Sequence, residues 1–216
     1  GPNLYESIKQ YALHSDSAFD RAINTRPIFS QEHCDAVRKE FDGLAKPIGS
    51  LGKLENVPAQ IAGITHSHTP TVDPAAIALF GADHGIAADD SVTPWPQAIT
   101  GMMLEVMGDN KAAVSVLADV ADVYVQIINV GAIADSKSPH VRNERVASGT
   151  ADIRTDDAMS DAVVRAALEV GAQTAERLIA GGSRCLVTGE VGIANTTPSA
   201  ALIAHFTQTT AEQVTG

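Results

Sequence analysis

Between Gly189 and Ala201 the chain reads Gly-Glu-Val-Gly-Ile-Ala-Asn-Thr-Thr-Pro-Ser-Ala-Ala, one acid set among glycines ahead of an alanine-rich segment. Thr197 is a residue type that caps helices and Pro198 suits a first helical position, so a helix is expected to start here. Asn195, Thr196 and Thr197 would then lie where free backbone N–H groups and a helix dipole favour an anion. Gly189 and Gly192 let a ligand approach the backbone closely. Glu190 beside such a cradle can bind ribose hydroxyls or meet developing positive charge; as a buried structural acid it would be costly without partners.

A second group of candidates is Asp83-His84, at the end of a short apolar run. Adjacent residues on an extended chain point apart, so the two do not by themselves make a base and its orienter. Either both are structural or one faces a substrate. Trp95, the only tryptophan, stands in Thr-Pro-Trp-Pro before a helical stretch and is either the wall of a planar-ligand pocket or a packed loop residue. His66 and His68 lie two apart with no third ligand nearby in sequence, which reads as a solvated loop pair, and no metal site is assigned.

The familiar nucleotide and hydrolase motifs are missing. Gly49-Ser-Leu-Gly52-Lys53 is not a P-loop, which would need glycine in place of Pro47 and Ser or Thr in place of Leu54. Neither G-x-G-x-x-G nor G-x-S-x-G occurs. Cys34 and Cys185 form neither a disulfide framework nor a C-x-x-C pair, and a reduced, cytoplasmic setting is expected.

The elements that must position these residues can be read from apolar periodicity. Leu4, Ile8, Tyr11, Ala12 and Phe19 keep helical spacing, as do Cys34, Val37, Phe41 and Leu44, and then Leu54, Val57, Ile61 and Ile64. The texture changes after Pro74. Ala75–Phe80, Val123–Ile128 and Cys185–Val187 are continuous apolar runs of the kind that form strands covered on both faces. Between them, Ile99 to Leu117 and Val164 to Ile179 carry helical stripes. The fold class is therefore α/β, a parallel Rossmann-like sheet flanked by helices, with a small N-terminal helical subdomain at residues 3–70 and the sheet domain at 71–216. Ligands gather beyond the carboxyl ends of such strands, and here those ends are polar and glycine-containing. Residues 136–157 carry mixed charges without a period and read as a crossover loop.

A chain of 216 residues with 44% hydrophobic content can bury a substantial core. A net charge of −11 argues against a nucleic-acid partner, which needs a basic footprint. No apolar run approaches the roughly 20 residues that span a bilayer, and no membrane association is expected. Gly1-Pro2 reads as a scar of protease cleavage and is set aside.

Three blocks bear a resemblance to a known family: Lys46-Pro-Ile-Gly-Ser-Leu-Gly-Lys-Leu-Glu55, Ala82-Asp-His-Gly85 with the Val92-x-x-x-Pro96 and Thr100 spacing, and Gly189 to Pro198. From about Gln31 to Gly216 the chain resembles the nicotinate-nucleotide–dimethylbenzimidazole phosphoribosyltransferases of cobalamin nucleotide-loop assembly. The resemblance implies a parallel-sheet domain with a small helical domain, a homodimer, and no cofactor. It implies transfer of phosphoribose from nicotinate mononucleotide to 5,6-dimethylbenzimidazole, giving α-ribazole 5'-phosphate and nicotinate. It also implies that Glu190, as a supporting catalytic group, and the loop through Gly189, Gly192, Asn195, Thr196 and Thr197 hold the phosphoribosyl side. Asp83, His84 and Trp95 would border the base pocket, and Ser50 of the first block joins the substrate-binding set. The family's general base, a glutamate, would lie beyond Gly216, so the chain is expected to be a C-terminally truncated member with little turnover alone. The competing expectation is a short non-catalytic paralogue or subunit that binds a nucleotide or benzimidazole-like ligand.

Overall fold

Ala75-Ala-Ile-Ala-Leu-Phe80 has apolar residues on both of its alternating sides, and a strand of that kind is stable only with layers on both faces. The computed structural model, which describes residues 3–13 and 15–215, supplies both layers. Gly1-Pro2, the expected cleavage scar, lies outside the described residues.

The chain divides into two units, one formed by residues up to Ile23 together with Ala75 onward, the other by Asn24–Pro74. The first contains a four-stranded, all-parallel sheet of β1 (Ala75–Ala82), β2 (Tyr124–Gly131), β3 (Val141–Asn143) and β4 (Cys185–Val191). Their spatial order is β3-β2-β1-β4. On one face Ile77 and Leu79 of β1 and Val125 and Ile127 of β2 pack on Leu104, Met107 and Val114. These come from helices α5 (Ala98–Gly108) and α6 (Ala113–Val120). On the other face Ala76, Ala78 and Phe80 meet Leu178 of α7 (Asp161–Ala180), with Leu186 of β4 alongside. Leu104 is fully buried, which for a leucine contributes about 1.5–3 kcal/mol. The remaining helices of this unit are α1 (Leu4–Lys9), α2 (Ala18–Asn24, whose last residue begins the second unit), α8 (Thr196–Thr207) and α9 (Ala211–Val214).

Several expectations change. The helical stripe from Leu4 to Phe19 is broken into α1 and α2, because the Asp20 carboxylate takes the backbone N–H groups of Leu13 and Ser15 at 3.0 and 2.9 Å. Residues 3–23, grouped above with the helical subdomain, belong to the sheet unit. There the Glu169 carboxylate of α7 accepts from the Ala18 and Phe19 N–H groups at the start of α2, and Arg21 pairs with Glu176 at 2.6 Å. The stripe from Ile99 to Leu117 is likewise two helices, parted at Asn110, whose φ of 59° is a conformation asparagine tolerates. Within the segment read as a featureless crossover loop lies β3, a three-residue edge strand.

The second unit pairs α3 (Gln31–Asp42) with α4 (Asn56–Thr65) through Cys34, Val37, Ala59 and Ala62, with Phe41 against them. The Lys46–Glu55 block between the helices is closed by its own ends: Lys46 Nζ lies 2.8 Å from Glu55 Oε1, which also accepts from the Leu51 N–H at 3.1 Å. The Lys46 bond, followed by that from Leu51, holds the Glu55 carboxyl below its ordinary value.

Candidate active site

The strand order reverses direction once. From β1 the chain steps outward to β2 and β3, then returns through α7 to place β4 on the other side of β1. A crevice opens at such a switch point beyond the carboxyl ends of the two diverging strands. Those ends carry Asp83-His84 after β1 and Glu190 in β4, with Phe80 paired to Glu190 and Gly81 to Val191.

Gly192 packs closely against the end of β1. A Cβ there would lie 2.2 Å from the Ala82 carbonyl oxygen and 3.0 Å from His84 Nε2, so only glycine allows this approach. Burial, the largest influence, pushes the His84 imidazole below its ordinary pKa; the carboxylates of Glu190 and Asp83 pull it the other way. Asp83 is buried: its Oδ2 accepts from the Ile133 N–H at 2.8 Å, while Oδ1 has no hydrogen-bond partner among the described residues. Glu190 is exposed, and its Oε1 accepts from the Asn195 side-chain amide.

The helix start differs from expectation. Thr196 and Thr197 are the first two residues of α8 and Asn195 occupies the N-cap position, so Thr197 does not cap and Pro198 is the third helical residue. The Asn195 side chain turns to Glu190 instead of capping. The N–H groups of Asn195 and Thr197 are used within the turn, bonding to the Gly192 and Ala194 carbonyls at 3.1 Å each. The cradle is thus a tight turn bearing an acid–amide pair, with fewer free N–H donors than the sequence suggested. Gly189 lies within β4, opposite Leu79.

Trp95 is 61% exposed, in a segment fixed at both sides. Its N–H bonds Thr93 Oγ1 at 3.2 Å, and two residues on Gln97 Nε2 donates to the His84 carbonyl at 2.8 Å. Ser50 belongs to the other unit, in the turn where its N–H bonds the Pro47 carbonyl at 3.1 Å. The structure therefore brings Asp83, His84, Gly192, Glu190 and Asn195 to one crevice, with the Trp95 segment tied to it through Gln97.

Sequence reasoning missed three supports. The Thr100 hydroxyl, fully buried on α5, accepts from the Ile193 N–H at 3.1 Å and pins the loop after β4. Gln97 holds the backbone of His84. The segment read as a plain crossover loop forms part of the wall: the Thr150 N–H donates to the Asp83 carbonyl at 3.1 Å and its hydroxyl accepts from Gly85 N–H at 3.2 Å. A Cβ on Gly85 would collide at 2.5 Å with the Thr150 and Ala151 backbone. Only Thr100 carried a signal, through its spacing from Asp83-His84.

Among the described residues, cavities lie apart from these strand ends. One, about 560 Å³ and apolar, is lined by Tyr5, Ile8, Phe19, Phe80, Val130 and Leu168. Another, about 520 Å³, opens at the start of β2 near Lys111, Tyr124 and His140, at the opposite end of the strands from the catalytic candidates. Among the described residues, no group of three or more His, Cys, Asp or Glu side chains could hold a metal ion, and no helix is long and apolar enough to cross a membrane.

A parallel sheet wound both ways from β1, with Asp83-His84 and Glu190 at the ends of adjacent strands, is an α/β arrangement of the kind in which ligands gather at strand ends. A family model described as phosphoribosyltransferase matches residues 27–216. The nicotinate-nucleotide–dimethylbenzimidazole phosphoribosyltransferase of Halalkalibacterium halodurans is 37% identical over 180 residues, covering 83% of this chain and 50% of that protein. The enzyme of the same name from Solidesulfovibrio magneticus is 38% identical over 193 residues, covering 88% and 54%. The crystal structure of the Thermus thermophilus enzyme of that name superposes with a TM-score of 0.81 at 32% identity, covering 87% of this chain and 57% of that one. The chain belongs to the nicotinate-nucleotide–dimethylbenzimidazole phosphoribosyltransferase family. It spans about half the length of the relatives it matches.

Proposed function

We propose that this chain carries the phosphoribosyl-binding half of an enzyme that transfers phosphoribose from nicotinate mononucleotide to 5,6-dimethylbenzimidazole in cobalamin biosynthesis. The products are α-ribazole 5'-phosphate and nicotinate. The observation that supports it most is the pair of adjacent strand ends, where Glu190, bonded by Asn195, acts electrostatically on His84 and Gly192 packs against Ala82 and His84. In the proposed reaction the bond from C1′ to the pyridinium nitrogen breaks with its electron pair going to that nitrogen, which becomes neutral as nicotinate departs, and the incoming base nitrogen forms the new bond to C1′. Glu190 then stands where a carboxylate can bind the ribose hydroxyls and stabilise positive charge developing on the sugar. Gly189, Gly192, Asn195, Thr196 and Thr197 form the wall on that side. His84, whose pKa burial lowers, Asp83 and Trp95 border the acceptor base. The proton released by the incoming nitrogen is proposed to pass to a glutamate in the part of the relatives that this chain does not span.

A homodimer in a reduced cytoplasmic setting is part of the same reading. The unpaired Cys34 and Cys185 are consistent with the setting, and exposed Leu202 and Ile203 on α8 with association.

The test is calorimetry of the 216-residue chain with nicotinate mononucleotide, alongside chromatographic detection of α-ribazole 5'-phosphate. Binding that Glu190→Gln weakens, with little product formed, is the expected result. Absence of heat at millimolar ligand overturns the phosphoribosyl assignment, and turnover at the rate of full-length relatives overturns the placement of the base.

A further inference from the structure

Asp83 stands at the end of β1 in surroundings that do not by themselves sustain a charge. It is buried, its Oδ2 accepts from the Ile133 N–H at 2.8 Å, and its Oδ1 has no hydrogen-bond partner among the described residues. A carboxylate so placed stays ionised only if a positive charge or a polarised donor makes up for the lost water.

The compensation comes through a peptide. The donor to Asp83 is the N–H of the Ala132–Ile133 peptide, and the carbonyl of that same peptide accepts from Arg145 Nη1 at 3.3 Å. Guanidinium, peptide and carboxylate therefore line up head to tail, with the positive end of the peptide dipole at Asp83 and the negative end at Arg145. Hydrogen bonds in such a chain polarise one another where the local dielectric is low. Arg145 Nη1 also donates to the Ile133 carbonyl and to Ser148 Oγ, while Asn129 Oδ1 accepts from the Ala132 N–H at 2.9 Å. The turn is thus gripped on both sides.

Backbone places the arginine. Beyond β3 the chain runs on beside β2, with the Glu144, Val146 and Gly149 N–H groups bonded to the Asn129, Val130 and Gly131 carbonyls at 2.9 Å each, before Thr150 reaches the Asp83 carbonyl. The other charges in reach are few. Arg145 Nε lies 3.2 Å from an exposed Asp135, a pair that contributes little, and His84 responds to Glu190 and Asp83.

We propose that Arg145 is a positioning residue of the candidate site, acting through the Ala132–Ile133 peptide to keep the buried Asp83 carboxylate charged beside His84. Its part in catalysis rests on the proposed transfer reaction, in which Asp83 and His84 border the acceptor base. The route through Asp83 has a distinctive sign. Removing a cation ordinarily makes a nearby imidazole easier to protonate. Removing Arg145 instead lets Asp83 take up a proton, and His84 loses one of the two carboxylate charges that oppose the effect of burial.

The experiment follows the imidazole proton resonances of the 216-residue chain against pH, with His84 identified as the signal lost in His84→Gln. Arg145→Gln should move the His84 titration to lower pH. Asp83→Asn should move it the same way, and adding Arg145→Gln to Asp83→Asn should move it no further down. Arg145→Lys, which keeps the charge beside the same carbonyls, should hold it near the parent's. Calorimetry with 5,6-dimethylbenzimidazole in the presence of nicotinate mononucleotide should show about tenfold weaker binding in Arg145→Gln. The titration needs no ligand, so a failure of this assignment is told apart from a failure of the transfer reading. In variants with the parental circular dichroism, a His84 titration that Arg145→Gln leaves in place or moves to higher pH overturns the proposal, as does a further downward shift in the double variant. Should Arg145→Gln not fold, Asp83→Asn decides, since no downward shift there breaks the route.

Discussion

Gly192 lies so close under His84 that a single added carbon would stand 3.0 Å from the imidazole and 2.2 Å from the Ala82 carbonyl oxygen. Backbone cannot yield to that overlap as a flexible side chain can. Gly192→Ala should therefore destabilise the sheet unit by about 1–3 kcal/mol. Thermal unfolding checks this, and a melting temperature equal to the parent's would show that the loop after β4 is free to move away from β1.

Glu190 is exposed and bonded to Asn195, so Glu190→Gln should leave the melting temperature nearly unchanged. Removing the charge should weaken nicotinate mononucleotide binding about 10–100-fold, the loss expected for hydrogen bonds to a charged group. The same variant has an electrostatic signature. Burial already lowers the His84 pKa and Glu190 partly restores it, so losing the carboxylate should move the His84 titration to lower pH. Imidazole proton resonances followed against pH report the shift, and no movement would place the two groups too far apart to interact.

Asn129, near the end of β2, has a fully buried amide. Its Nδ2 donates to the Ala134 carbonyl and to Asn143 Oδ1 at 3.0 and 3.1 Å, and its Oδ1 accepts from the Ala132 N–H at 2.9 Å. Asn129→Ala leaves these partners without their bonds, at a cost of about 1–3 kcal/mol for each that stays buried. Urea unfolding should show a lower midpoint with little change in slope.

Asp20 is buried and held well below the usual carboxylate range, first by the Ser15 hydroxyl, against the opposing effect of burial, and then by Arg165 at 3.2 Å. Since the native pKa lies below the unfolded one, this stabilisation is complete above about pH 4 and fades as the pH falls towards the native value. Asp20→Ala should thus unfold at lower temperature than the parent at neutral pH, and the gap should narrow progressively below about pH 4. A constant gap across that range would show that the loss is one of packing alone.

The strands at the switch point were visible in the sequence as short apolar runs, Ala75–Phe80, Val123–Ile128 broken by Gln126, and Cys185–Val187, but β4 is an edge strand with Val187 46% exposed and is not covered on both faces as expected. Val141-Arg-Asn143 was not visible, because a three-residue edge strand buries only Val141 and leaves no pattern. The break between α1 and α2 was hidden for another reason. Apolar spacing continues across Ser15-Asp16-Ser17, while the side-chain bonds that stop the helix depend on Asp20. At the candidate site, residue types at strand ends pointed to Glu190 and His84 through topology alone. What holds them was illegible: the Thr100–Ile193 bond joins positions 93 apart, and periodicity carries no information on such pairs. The ring contacts of His33 with His66 and His68 escaped for the same reason.

The turn of α5 that begins near Trp95 is fastened at two places, to the His84 carbonyl through Gln97 and to the Ile193 N–H through Thr100. Those anchor points lie on opposite banks of the crevice, one after β1 and the other after β4. A single turn of helix therefore acts as a brace across the opening, so that its width is set from behind. In the proposed reaction, the acceptor base would meet a gap whose width the helix has already set.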